Sequence, residues 1–117
     1  MRKLILAGLI LGLSGCAQIK MMLVKHDPAL ANLYVETVVR VEEAKCDIPA
    51  SLLIAQDAAN RMAKYAEFRD DPQKESARAV QVNLGKAIAT KDEAACKRWV
   101  NLSSQRLGIL NKAWSDR

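Results

Sequence analysis

The stretch DIPASLLIAQDAANRMAKYAEFRDDP, residues 47–72, decides the fold. It opens and closes on the same punctuation, an aspartate with a proline beside or near it. Between these ends Leu52, Ala55, Ala59, Met62 and Ala66 recur three or four positions apart, the spacing of one face of an α-helix. Proline is tolerated in a first helical turn because its missing N–H would have no intrahelical partner there. An aspartate beside it can cap the free amides and oppose the positive end of the helix dipole. The stretch therefore predicts a helix over 49–68 and another beginning at Pro72.

The same punctuation occurs upstream in HDP, residues 26–28, and TKDE at 90–93 has the Thr-to-Glu spacing of a capping box. Four helices are expected, over 28–45, 49–68, 72–89 and 91–115. The first carries Leu30, Leu33, Tyr34, Thr37, Val38 and Val41 on one stripe, with Lys45 reaching water. The third carries Ala77, Val80, Leu84, Ala87 and Ile88, and the fourth Cys96, Trp99, Ser103, Leu107, Leu110 and Trp114. One apolar stripe per helix means that each must bury that face on a neighbour, and short connections favour antiparallel neighbours. The expected fold is all-α, an up-down-up-down four-helix bundle. Because Ala89-Thr90-Lys91 contains neither Gly nor Pro, a single continuous helix through the third and fourth segments is the alternative.

The amino terminus is organised differently. Arg2 and Lys3 precede a ten-residue apolar run, Leu4 to Leu13, which ends on Ser14-Gly15, the pattern of a signal peptide. A membrane-spanning helix needs about 20 apolar residues, and charge returns here at Lys20 and Lys25. Leu13-Ser14-Gly15-Cys16 resembles the lipobox of bacterial lipoproteins at all four positions. The resemblance implies that residues 1–15 are removed, that Cys16 becomes the first mature residue, and that its sulfur and amine carry acyl chains. Ala17 and Gln18 follow Cys16 in place of the aspartate that retains such proteins in the inner membrane. In a Gram-negative host the class rule then implies the periplasmic face of the outer membrane. Two or more acyl chains suffice for stable anchoring.

Residues 16–27 are then the lipidated cysteine and its tether, and 28–117 the bundle domain. The eleven residues 17–27 reach about 38 Å at full extension. Within them Met21, Met22, Leu23 and Val24 are expected either to dock on the bundle or to graze lipid. With Cys16 taken by lipid, Cys46 and Cys96 are an even pair in an oxidising compartment. In the expected topology they lie at the same end of adjacent helices, which suits a structural disulfide; two free buried thiols are the alternative.

Charge narrows the partners. The full chain is +5, but Arg2 and Lys3 leave with the signal peptide, so the 18 basic residues fall by two against 13 acidic and the mature domain is near +3. Compartment and charge argue against nucleic acid. His26 is the single histidine and sits in the tether without convergent partners. The pairs Glu42-Glu43, Asp70-Asp71 and Asp92-Glu93 read as solvated charge and caps. No nucleophile motif, glycine-rich phosphate loop or metal-ligand spacing appears. A binding protein without cofactor, metal or small-molecule substrate is therefore expected, not an enzyme. Gly85 and Gly108, inside helices, are expected to mark close packing.

The fourth helix concentrates base: Lys97, Arg98, Arg106 and Lys112, while the first carries more acid than base. Two readings are open. Its cations complement the acidic first helix across the bundle, or Arg98, Trp99, Arg106 and Trp114 form a weakly marked partner surface, since Arg and Trp are typical anchors of interfaces. The expected function is contact with an envelope protein, blocking a receptor or supporting a complex, as small lipoproteins of phages, plasmids and bacterial envelopes do. A passive envelope component holding cell wall or lipid is the alternative, and an enzyme or enzyme accessory with a groove site a further one.

Overall fold

The structure, a computed structural model, describes residues 27–116. Cys16, His26 and the tether residues Met21 to Val24 lie outside the described residues. Four helices follow in order: α1 Pro28–Glu43, α2 Pro49–Phe68, α3 Lys74–Ala89 and α4 Glu93–Ser115. Each packs on its neighbours in sequence and α4 returns to α1, while among the described residues the backbones of diagonal helices stay more than 8 Å apart between Cα atoms. This is the antiparallel four-helix ring expected from the short connections.

The caps explain where the helices start. Asp27 accepts from the Ala29 amide at 2.9 Å with Pro28 in the first turn, so the residue assigned to the end of the tether belongs to the bundle. Pro49 also opens α2, but Asp47 does not cap it; the Ser51 hydroxyl instead donates to the Ile48 carbonyl and accepts from the Lys45 amide. Pro72 does not start α3. The Asp71 carboxylate accepts from the Gln73 amide and the Asp71 carbonyl from that of Lys74, a turn that delays the helix to Lys74. Likewise the fourth cap is Asp92, which accepts from Ala94 and Ala95, and not Thr90. Its short side chain reaches amides that Thr90 is too far back to meet, and the break it makes separates α3 from α4.

At the end of α2 the Asp71 amide bonds the Ala66 carbonyl and the Asp70 amide the Glu67 carbonyl. This paired closure requires a left-handed residue, and Asp70 supplies it with φ 49°.

Most of each stripe buries as expected, while Leu33, Val38, Ile88 and Trp99 are only half-buried. Leu30, Tyr34, Thr37 and Val41 face inward from α1, Val80 and Leu84 from α3, and Ser103, Leu107, Leu110 and Trp114 from α4. The α2 face is mostly alanine, with Ala55, Ala58, Ala59, Ala63 and Ala66 around Met62 and Leu52. Alanine contributes little area but allows its neighbours close approach, so apart from Met62 and Leu52 the large side chains of the core come from the other helices. The buried hydroxyls of Thr37 and Ser103 are satisfied by the carbonyls of Leu33 and Trp99, one turn back in their own helices.

The α1–α4 side of the ring is packed least, and three contacts close it. Cys46 and Cys96 are bonded at the end formed by the α1–α2 turn, with Cα atoms 6.0 Å apart. Midway the Tyr34 hydroxyl donates to the Leu107 carbonyl at 2.8 Å. At the far end Trp114 meets the Tyr34 ring edge-on, centroids 5.8 Å apart.

Candidate partner-binding face

The ion pairs show which helices neutralise one another. Arg61 on α2 bonds Glu36 on α1 at 3.0 Å, and Arg69 bonds Asp27 at 2.9 Å. Arg78 on α3 reaches Glu67 on α2 at 2.7 Å. These contacts, with a donated bond from each Arg, hold the carboxyls of Glu36 and Glu67 below their ordinary range. Among the described residues no ion pair joins α4 to another helix; its one pair, Lys97 with Glu93, is internal. Of the acids of α1, Glu36 is instead taken by Arg61 of α2 and Glu43 by Arg40 of α1 itself. The expected complementarity between a basic fourth helix and an acidic first helix is therefore not formed by ion pairs.

The outward side of α4 is apolar as well as basic. Trp99, Leu102, Arg106 and Ile109 follow at steps of three, four and three, one stripe along the helix. Leu102 is 43% exposed and Ile109 53%, while Trp99 and Arg106 are half-buried. Lys86 of α3 lies over the Trp99 ring, its Nζ 4.6 Å from the centroid. One turn back along α3 from Lys86 comes Val82, 44% exposed. Arg98 is exposed beside Trp99. The α4 surface beside α3 thus combines Trp99, Leu102 and Ile109 with the cations Lys86, Arg98 and Arg106, while Val82 lies nearer the α2 side, one turn from Arg78 and Gly85.

Trp114 does not belong to it. Its side chain is fully buried, and the indole N–H donates to Asp71 Oδ1 at 3.0 Å. It follows Leu107 and Leu110 on the core stripe, so the edge expected to meet a partner points inward. Asp71, read as solvated charge, is buried with it. Leu102, Ile109, Val82 and Lys86 were not singled out from the sequence. The available signal was that Leu102 and Ile109 fall off the buried stripe and in register with Trp99.

A groove of about 530 Å³ runs along the α1–α4 side near the disulfide, lined by Val41, Glu42, Lys45, Glu93, Lys97 and Asn101 among others. Its charged side chains are all exposed, and none is held in place for proton transfer by a buried partner. No group of three or more His, Cys, Asp or Glu able to hold a metal exists among the described residues. Nor is any helix among them long and apolar enough to cross a membrane.

Comparison with family models, curated proteins and solved structures finds no match to this chain.

Proposed function

We propose that this chain is a lipid-anchored periplasmic lipoprotein that acts by binding an envelope protein through its α3–α4 face. Lipidation of Cys16 rests on the resemblance of residues 13–16 to a lipobox. The binding reading is carried by one observation: α4 makes no interhelical ion pair among the described residues, and its cations border exposed apolar side chains. Such cations are available to a partner. Apolar area flanked by arginine and tryptophan is the composition of an interface centre, and the excess of base selects an acidic surface.

The test is cross-linking of the lipidated protein in intact envelopes, followed by mass spectrometry of the captured species. The expected result is one dominant protein whose capture falls at least about tenfold when Arg98 and Arg106 are both replaced by Glu, because juxtaposed like charges strongly disfavour a contact. Recovery of lipid or cell-wall fragments alone would support the passive envelope reading instead.

A further inference from the structure

We propose that the end of the bundle carrying Phe68 rests on the bilayer, with the Phe68 ring seated among the lipid headgroups. Phe68 is 82% exposed, more than any other large apolar side chain described. It closes α2, and its ring tilts against Tyr65 with centroids 6.3 Å apart. The Tyr65 hydroxyl donates to Asp27, and Arg69 bonds the same carboxylate at 2.9 Å. Phe68 is therefore tied, through its neighbours, to the residue at which the chain enters the bundle from Cys16.

That connection identifies the occupant. The inference rests on the lipid-anchored reading: Asp27 lies eleven positions after Cys16, so the Asp27 end is held within about 38 Å of an acylated cysteine. The opposite end of α2, at Ile48, is about 30 Å further along the helix, so it meets the lipid only with the tether drawn out nearly to its full length, whereas the Phe68 end meets it at any extension. An exposed aromatic ring settles at a membrane interface. Arg69 is already paired with Asp27 and Lys74 with Asp70, and Lys112 is exposed at this end beside the acids Asp70 and Asp116, so the ring and not an excess of base carries the seating. The bundle then stands end-on, the disulfide points away from the lipid, and the α3–α4 face looks sideways along the membrane.

The experiment places an indole at each end of the full-length lipidated chain, as Phe68→Trp and separately as Ile48→Trp, a site also exposed at 47%. Each protein is reconstituted in vesicles of phosphatidylethanolamine and phosphatidylglycerol containing lipid brominated near the headgroup. Mass spectrometry of the mature chain reports acylation of Cys16 independently. The expected result is acylated protein in which the added indole of Phe68→Trp is quenched at least about twofold more than that of Ile48→Trp. Equal quenching at both sites would overturn the end-on arrangement. An acylated chain whose indole at position 68 is reached by aqueous iodide and not by brominated lipid would overturn it while leaving the lipoprotein reading intact. Shielding from both quenchers would overturn it in favour of cover by the run Met21 to Val24. An unacylated chain with no lipid quenching would overturn both readings, and the mass distinguishes this case from the others.

Discussion

The indole of Trp114, near the end of α4, donates to the carboxylate of Asp71 in the α2–α3 turn, 43 positions away and at 3.0 Å. Asp71 also accepts from the Gln73 amide, so one buried side chain shapes the turn and anchors the last helix to it. Buried polar groups are costly when a partner is removed, because the remaining group stays desolvated.

Replacing Trp114 with Phe keeps most of the ring's packing and removes the donor. The expected loss of stability is about 1–3 kcal/mol, against about 3–5 for Trp114→Ala, where a cavity is added. Denaturant unfolding of Trp114→Phe, Asp71→Ala and the double variant measures the coupling. If the two losses simply add, the hydrogen bond contributes nothing.

The disulfide acts on the side of the ring that packing holds least. It closes a loop of 50 residues and joins the α1–α2 turn to the first turn of α4. Reduction, or replacement of both cysteines by Ala, is expected to lower stability by about 4 kcal/mol on the chain-entropy model. Hydrogen exchange checks where the loss falls: the amides of α1 and α4 near Cys46 and Cys96 should lose protection before those of the α2–α3 pair. Uniform loss across all four helices would sink this account.

Acid should destabilise the bundle through four carboxylates. The bond from Tyr65 holds Asp27 below its ordinary 3.8, helped by the Ala29 and Leu30 amides and Arg69. Arg61, Arg78 and Lys74 do the same for Glu36, Glu67 and Asp70. A carboxyl with a depressed folded pKa contributes stability that is complete above its unfolded value and lost as pH falls through the folded one. Melting temperature is therefore expected to hold steady above about pH 5 and to fall below it. Tyr65→Phe should flatten part of that fall; an equally steep acid limb in the variant would exclude Asp27 as a contributor. At the alkaline end burial, with Glu42 nearby, pushes Tyr34 up to about 12. Its folded pKa lies above the ordinary 10.0, so its contribution is whole below 10.0 and drains away between there and about 12.

The helices and their buried faces were legible because periodicity is local: Leu30 to Val41 and Cys96 to Trp114 each declare an inward stripe within a few turns. Two starts fall two residues later than expected: at α4 Asp92 takes the cap from Thr90, and at α3 the turn formed by Asp71 delays the helix past Pro72 to Lys74, whose start has no side-chain cap. Trp114 was read from its residue type as a surface anchor, although its place on the stripe already put it inside; the donor's partner, Asp71, lies too far along the chain for any local pattern to pair them. That Arg98 and Arg106 make no ion pair among the described residues was not legible for a related reason. Whether Arg98 or Arg106 meets Glu36 or Glu43 depends on the register between helices, which core packing sets, and both acids are taken by other arginines, Arg61 and Arg40.

The two helical glycines were expected to mark close packing, and only one does. A β-carbon on Gly85 would lie 3.0 Å from Gln56 Nε2, the movable end of a side chain, whereas one on Gly108 would meet nothing within 4 Å. Alanine in a helix interior is favoured over glycine by about 1 kcal/mol. Gly108→Ala is therefore expected to stabilise the bundle by close to that amount. Gly85→Ala should gain less, because Gln56 must shift aside to admit the methyl group. Denaturant midpoints of the two variants decide the matter. Equal gains would mean that Gln56 moves without cost, and a loss at Gly108 would show that its position serves something beyond the isolated bundle.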